Sequence, residues 1–189
     1  ASLVGGDAAR LMVDPDGATA SAGNLPAQAR FVEGLVAYAQ GDSQAAVEAF
    51  KEVVRLTNPR RAAVPDARLR ELAFLQLGRI HYEYKQSRYA IFYYQRMPRG
   101  GPSWLEGLWE STYAFYRVGD HEKALGHLPP LPSPYFQDEW FPESHLLKAI
   151  LYYENCRYPE ARALLEDFAA GHEPVFAELE RITGRGSPG

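Results

Sequence analysis

The sequence predicts an all-α protein: a solenoid of four helical hairpins closed by a short C-terminal capping helix. Three observations predict it. Nearly everything from Pro26 onward carries helical periodicity. Four segments align without a gap: RFVEGLVAYAQGDSQAAVEAF (30–50), FLQLGRIHYEYKQSRYAIFYY (74–94), LWESTYAFYRVGDHEKALGHL (108–128) and HLLKAILYYENCRYPEARALL (145–165). And 12 Tyr, 9 Phe and 3 Trp supply enough aromatic volume for a sizeable core, with a surplus of the kind that binding surfaces use.

Taken in order, residues 1–25 are rich in Gly, Ala, Asp and Ser and are expected to be unordered. DPDG at 14–17 opens like a calcium loop, but the third acidic ligand and the closing Glu are missing. The repeat domain is expected over 26–171, with hairpins at about 27–59, 66–100, 103–131 and 142–171. Four columns define them. A small residue sits mid-way along each first helix: Gly34, Gly78, Thr112, Ala149. Twelve places on stands an alanine: Ala46, Ala90, Ala124, Ala161. Four further on comes a large residue: Phe50, Tyr94, Leu128, Leu165. A tyrosine follows each small residue by four: Tyr38, Tyr82, Tyr116, Tyr153.

Antiparallel helices approach closely only where side chains are small. Gly34 is therefore expected against Ala46, with Phe50 filling the next layer. Punctuation agrees. GD at 41–42 and 119–120 separates helices, with Asp as N-cap. Ser103 and Glu106 have capping-box spacing. Pro159 suits a first turn and Gly171 a helix end. Val175, Phe176, Leu179 and Ile182 then mark a capping helix over 172–184, before a tail at 185–189.

These columns, the GD turns and Pro59 resemble the tetratricopeptide repeat, whose units are about 34 residues of helix–turn–helix. The resemblance covers about residues 27–171 and implies a right-handed superhelical solenoid. Unit spacings are 44, 34 and 37, with the excess in the loops at 57–66 and 128–142. Where the family carries a large apolar residue before the small one, only Leu77 complies; Glu33, Ser111 and Lys148 depart. The family's first helices line a concave groove. Matching its columns gives Phe31, Leu75, Trp109 and Leu146; then Leu35, Arg79, Tyr113 and Ile150; then Tyr38, Tyr82, Tyr116 and Tyr153. The Lys and Asn pattern that clamps a terminal carboxylate is absent. The resemblance thus implies a partner protein segment with apolar or aromatic anchors; the chain's own N-terminal segment or capping helix is the alternative occupant. SPYFQDEWFPESHLLKAILYYENCRYPEARALLEDF is also similar to segments of bacterial cell-envelope repeat proteins, including those of gliding-motility machinery, which implies a periplasmic or lipoprotein subunit.

Other chemistry is sparse. A net charge of −4 with no basic block argues against nucleic acid. No apolar run is long enough to span a membrane. One cysteine excludes an internal disulfide framework and leaves the compartment open. The opening ASLVGG, without Met, reads as a processed or excised start. Cys156 falls in the slot held by Gly41 and Gly119, so a partly buried structural turn residue is expected. His81 falls in a core column, His121 and His127 are six apart, and HExxH is absent, so no metal is expected. RGG at 99–101 lacks the Lys-Ser/Thr end of a phosphate loop, and Asp138 and Glu139 are adjacent in a loop. The PxxP within LPPLPSP (128–134) is of the kind that aromatic grooves bind; the expectation here is that its prolines stiffen the connection and that Tyr135, Phe136, Trp140 and Phe141 pack it down. The expectation is a non-enzymatic interaction scaffold without cofactor. An oligomerisation module, or an accessory domain of an enzyme with a reactive Cys156, are the alternatives.

Overall fold

The computed structural model describes residues 24–62, 65–131 and 141–184. DPDG, most of the N-terminal segment, the end of the proline run, Tyr135, Phe136, Asp138, Glu139, Trp140 and the tail lie outside the described residues. Those described are all-helical: α1 (Leu25–Ala39), α2 (Ser43–Leu56), α3 (Ala67–Glu83), α4 (Ser87–Tyr94), α5 (Trp104–Arg117), α6 (His121–His127), α7 (Glu143–Glu154) and α8 (Tyr158–Thr183). Two compact units divide them, one up to Asp120 and one from His121.

In the first unit the packing is repeat-like. α1 packs on α2 and α3 on α4; α2 and α4 then pack on α3 and α5, the first helices that follow them. The core under α1, α2 and α3 holds Phe31, Leu35, Phe50, Val53, Leu72 and Leu77. Phe31 and Phe50 meet edge to face at 5.3 Å between ring centroids. The close approach differs from the expected one. It is the large residue that lies on the small one: a Cβ at Gly34 would meet the Phe50 ring at 2.8 Å, and one at Gly78 would meet the Tyr94 ring. Ala46 and Ala90 are fully buried beside these contacts. The glycines are slots for rings, so an added methyl would force repacking.

All four turns close in the same way. Gly41, Lys85, Gly119 and Cys156 have φ of 83°, 60°, 76° and 59°. Their N–H groups donate to the carbonyls of Tyr38, Tyr82, Tyr116 and Tyr153, each at 3.0 Å. The next N–H reaches back to Ala37, His81, Phe115 and Tyr152 at 2.8–3.0 Å. This is the Schellman closure, which needs a left-handed residue at the fifth position. Cys156 is accordingly in the predicted turn slot, but it is exposed. The slot selects for φ, and burial was the wrong criterion.

Caps hold in part. Asp42 accepts from the Ala45 N–H at 2.9 Å and Asp66 from Leu69 at 2.8 Å. The Ser103–Glu106 box does not form: Ser103 makes no side-chain cap. Instead its N–H donates to Oε1 of the buried Glu71 on α3, at 2.9 Å. A carboxylate from another helix thus serves the α5 N-terminus, where the helix dipole favours it. Glu106 turns to Arg79, as described below.

In the second unit α6 packs on α7 and α7 on α8. Pro159 stands in the first turn of α8 as expected. Gly171 does not end that helix. α8 runs on through Gly171 and Pro174 to Gly184, whose φ of 64° closes it, so residues 172–183 extend the same helix and are no separate cap. A glycine inside a helix costs only about 1 kcal/mol relative to alanine, so it does not by itself end one. Leu147, Ala149 and Leu151 of α7 are buried, while Ala161 is the one buried residue of α8.

Candidate functional site

The faces of α3 and α5 carry the densest group of predicted site residues. At its centre is Arg79. Its guanidinium donates to Glu110 Oε1 from Nε (2.9 Å) and Nη2 (2.6 Å), and to Glu106 Oε1 from Nη2 (2.7 Å). The Tyr94 hydroxyl donates to Glu110 Oε2 at 2.9 Å. Burial pushes the Glu110 carboxyl up, against the opposing pull of Arg79 and Tyr94. Burial likewise raises the Tyr94 phenol well above its usual value, with Glu110 adding to the rise. Arg79, Glu106, Glu110 and Tyr94 are thus joined in one hydrogen-bonded network between α3, α4 and α5. Sequence reading found Arg79 and missed Glu106, Glu110 and Tyr94. The signal was there: a cation in an apolar column demands a carboxylate, and Glu106 and Glu110 share one side of the following first helix.

Around this clamp stand aromatic rings. Arg117 lies over the Tyr82 ring, 4.4 Å from its centroid, and donates to the Tyr82 carbonyl at 2.9 Å. Trp109 and Tyr113 meet edge to face at 4.8 Å. These rings and that of Tyr116 are half-buried. The remaining predicted residues separate. Phe31, Leu35 and Leu75 lie in the core, out of reach of a ligand. Tyr38 is half-buried and donates to Glu83 at 2.5 Å; partial burial and this bond push its phenol up to about 12.

In the second unit Leu146 (42 %), Ile150 (45 %) and Tyr153 (64 %) are exposed. Tyr153 meets Tyr158 edge to face at 5.2 Å. The pair borders a groove of about 560 Å³ that continues along Ala161, Arg162 and Leu165. The Cys156 thiol hydrogen-bonds the Tyr158 phenol and raises its pKa. That neighbour is a weak acid, not the base a nucleophilic thiol needs.

His81 pairs with Gln86 through Nδ1 at 2.6 Å and stacks between Tyr89 and Tyr93, the packing role its column predicted. Among the described residues no three of His, Cys, Asp or Glu converge as metal ligands, and no helix is long and apolar enough to cross a membrane. No protein-family model matches the chain, and no curated protein matches it.

Proposed function

We propose that the chain is a non-enzymatic scaffold of tetratricopeptide-like hairpins that holds a partner protein segment against the α3/α5 face. One observation carries this reading: Tyr82, Trp109, Tyr113 and Tyr116 stand half-exposed on adjacent first helices around the Arg79–Glu106–Glu110 clamp. A surface fixed from beneath loses little entropy on binding. Tyr and Trp provide large, stiff, amphipathic contacts. The four turns support the repeat reading, because each closes its hairpin with the same two backbone bonds and a left-handed residue at the same position.

The clamp also defines the ligand. Arg79 is already paired with two carboxylates, so it has little left to attract a terminal carboxylate. The segment bound here is anchored by apolar or aromatic side chains. Selection of displayed random peptides on the immobilised chain tests this. Enriched sequences should carry such anchors. Tyr82→Ala with Tyr116→Ala should weaken their capture at least about tenfold at unchanged helicity, a loss of about 1.4 kcal/mol or more. Undiminished capture, or enrichment of acidic C-termini, would sink the assignment.

A further inference from the structure

The fourth hairpin breaks a column that the others keep. Phe50, Tyr94 and Leu128 are 0 %, 6 % and 4 % exposed, while Leu165 is 44 % exposed. In the first hairpin the corresponding slot is filled by the following first helix. Leu69, Leu72 and Ala73 of α3 share a core with Phe50 and Val53; Tyr38 donates to Glu83; Ser43 donates to the Tyr84 hydroxyl. The same positions in the fourth hairpin are Leu165, Tyr153 and Tyr158, and they border the open groove. The groove therefore has the form of a slot for a helix.

α8 itself supplies the matching face. At about 100° per residue, Tyr158, Leu165, Phe176 and Leu179 fall within one stripe roughly 60° wide. Phe176 and Leu179 are 60 % and 54 % exposed. Ala169 lies about 20° beyond the edge of that stripe, between its two halves, and its small side chain permits close approach. Arg162 and Glu180 share one flank, eighteen residues and five turns apart. In an antiparallel pair centred near Gly171, Arg162 of each helix stands opposite Glu180 of the other. Leu165 then stands beside Phe176.

We propose that the chain forms a two-fold homodimer in which α8 lies antiparallel on α8 of a second copy, Leu165 against Phe176 and Arg162 opposite Glu180. One isologous contact covers the slot and the Phe176–Leu179 stripe of both copies in a closed two-fold arrangement. A foreign helix would cover the slot and leave Phe176 and Leu179 in water. The surface belongs to the second unit and does not depend on the α3/α5 reading.

Sedimentation equilibrium of the whole chain over a wide concentration range decides the matter. The expected result is a reversible monomer–dimer equilibrium. Leu165→Glu and Phe176→Glu, both at exposed positions, should each abolish it with helicity retained. Arg162→Glu should weaken it about tenfold, and Glu180→Arg on top should restore it. A monomer at every concentration overturns the proposal. So does a dimer indifferent to Leu165→Glu and Phe176→Glu, or a growing series of larger species. A monomer that instead captures a peptide of residues 67–83 would assign the slot to another helix and overturn it equally.

Discussion

At the scale of single residues, the turns show what each hairpin requires. The fifth position of all four turns is left-handed, and two of the four are glycine. Lys85 and Cys156 adopt the same conformation with a Cβ, at a cost of about 1 kcal/mol. Cys156 is exposed and its turn closes with the same two bonds as that of Gly41. Cys156→Gly should therefore stabilise the protein by about 0.5–1 kcal/mol, read as a higher urea midpoint at unchanged slope. A thiol needed for packing would give the opposite sign. Cys156→Ala, which keeps the Cβ, should change little.

At the scale of elements, α8 separates local propensity from pattern. Gly171 lies inside the helix, and a Cβ there meets nothing within 4 Å. Gly171→Ala should raise stability by about 0.5–1 kcal/mol and increase helical ellipticity. Had Gly171 closed a helix in the left-handed conformation, alanine would destabilise it instead. The helical periodicity on either side of Gly171 was legible in the sequence; that one helix carries both sides was not. The first helices, second helices and turns were equally legible, because small, large and tyrosine columns repeat at fixed spacing. What escaped were links between distant segments. Ser103 takes Glu71 in place of Glu106, and Arg79 takes Glu106 and Glu110, each across about thirty residues. Such partners depend on which helix faces which, and one sequence encodes that only through packing. The same limit explains Phe31, Leu35 and Leu75. They belong to two columns that face outward in the family's groove, yet these three are buried here.

At the scale of the whole molecule, stability should respond to acid in an unusual direction. Two carboxyls of the first unit are raised by burial: Glu71, whose bond from Ser103 only partly opposes the rise, and Glu110, despite Arg79. A carboxyl whose folded pKa exceeds its unfolded value binds protons more tightly in the fold. Its contribution is fully present below the unfolded value, near 4.5, and is lost as pH rises through the folded value. Glu52, Glu160 and Glu178 shift the other way, lowered chiefly by hydrogen bonds, in each case including one from an arginine three places along the helix or one turn back. They favour the fold above the unfolded value, but they are solvent-exposed pairs whose net worth is small. The buried pair should dominate. The urea midpoint of the wild type should rise as pH is lowered from about 7 towards about 5. Glu71→Gln keeps an acceptor for the Ser103 N–H and removes the charge. Its midpoint should equal or exceed that of the wild type at about pH 7, and its gain on acidification should be smaller. A wild type that weakens steadily over this range, with Glu71→Gln weakening in parallel, would show that Glu71 is stabilised by Ser103 as an anion and that its burial carries no penalty.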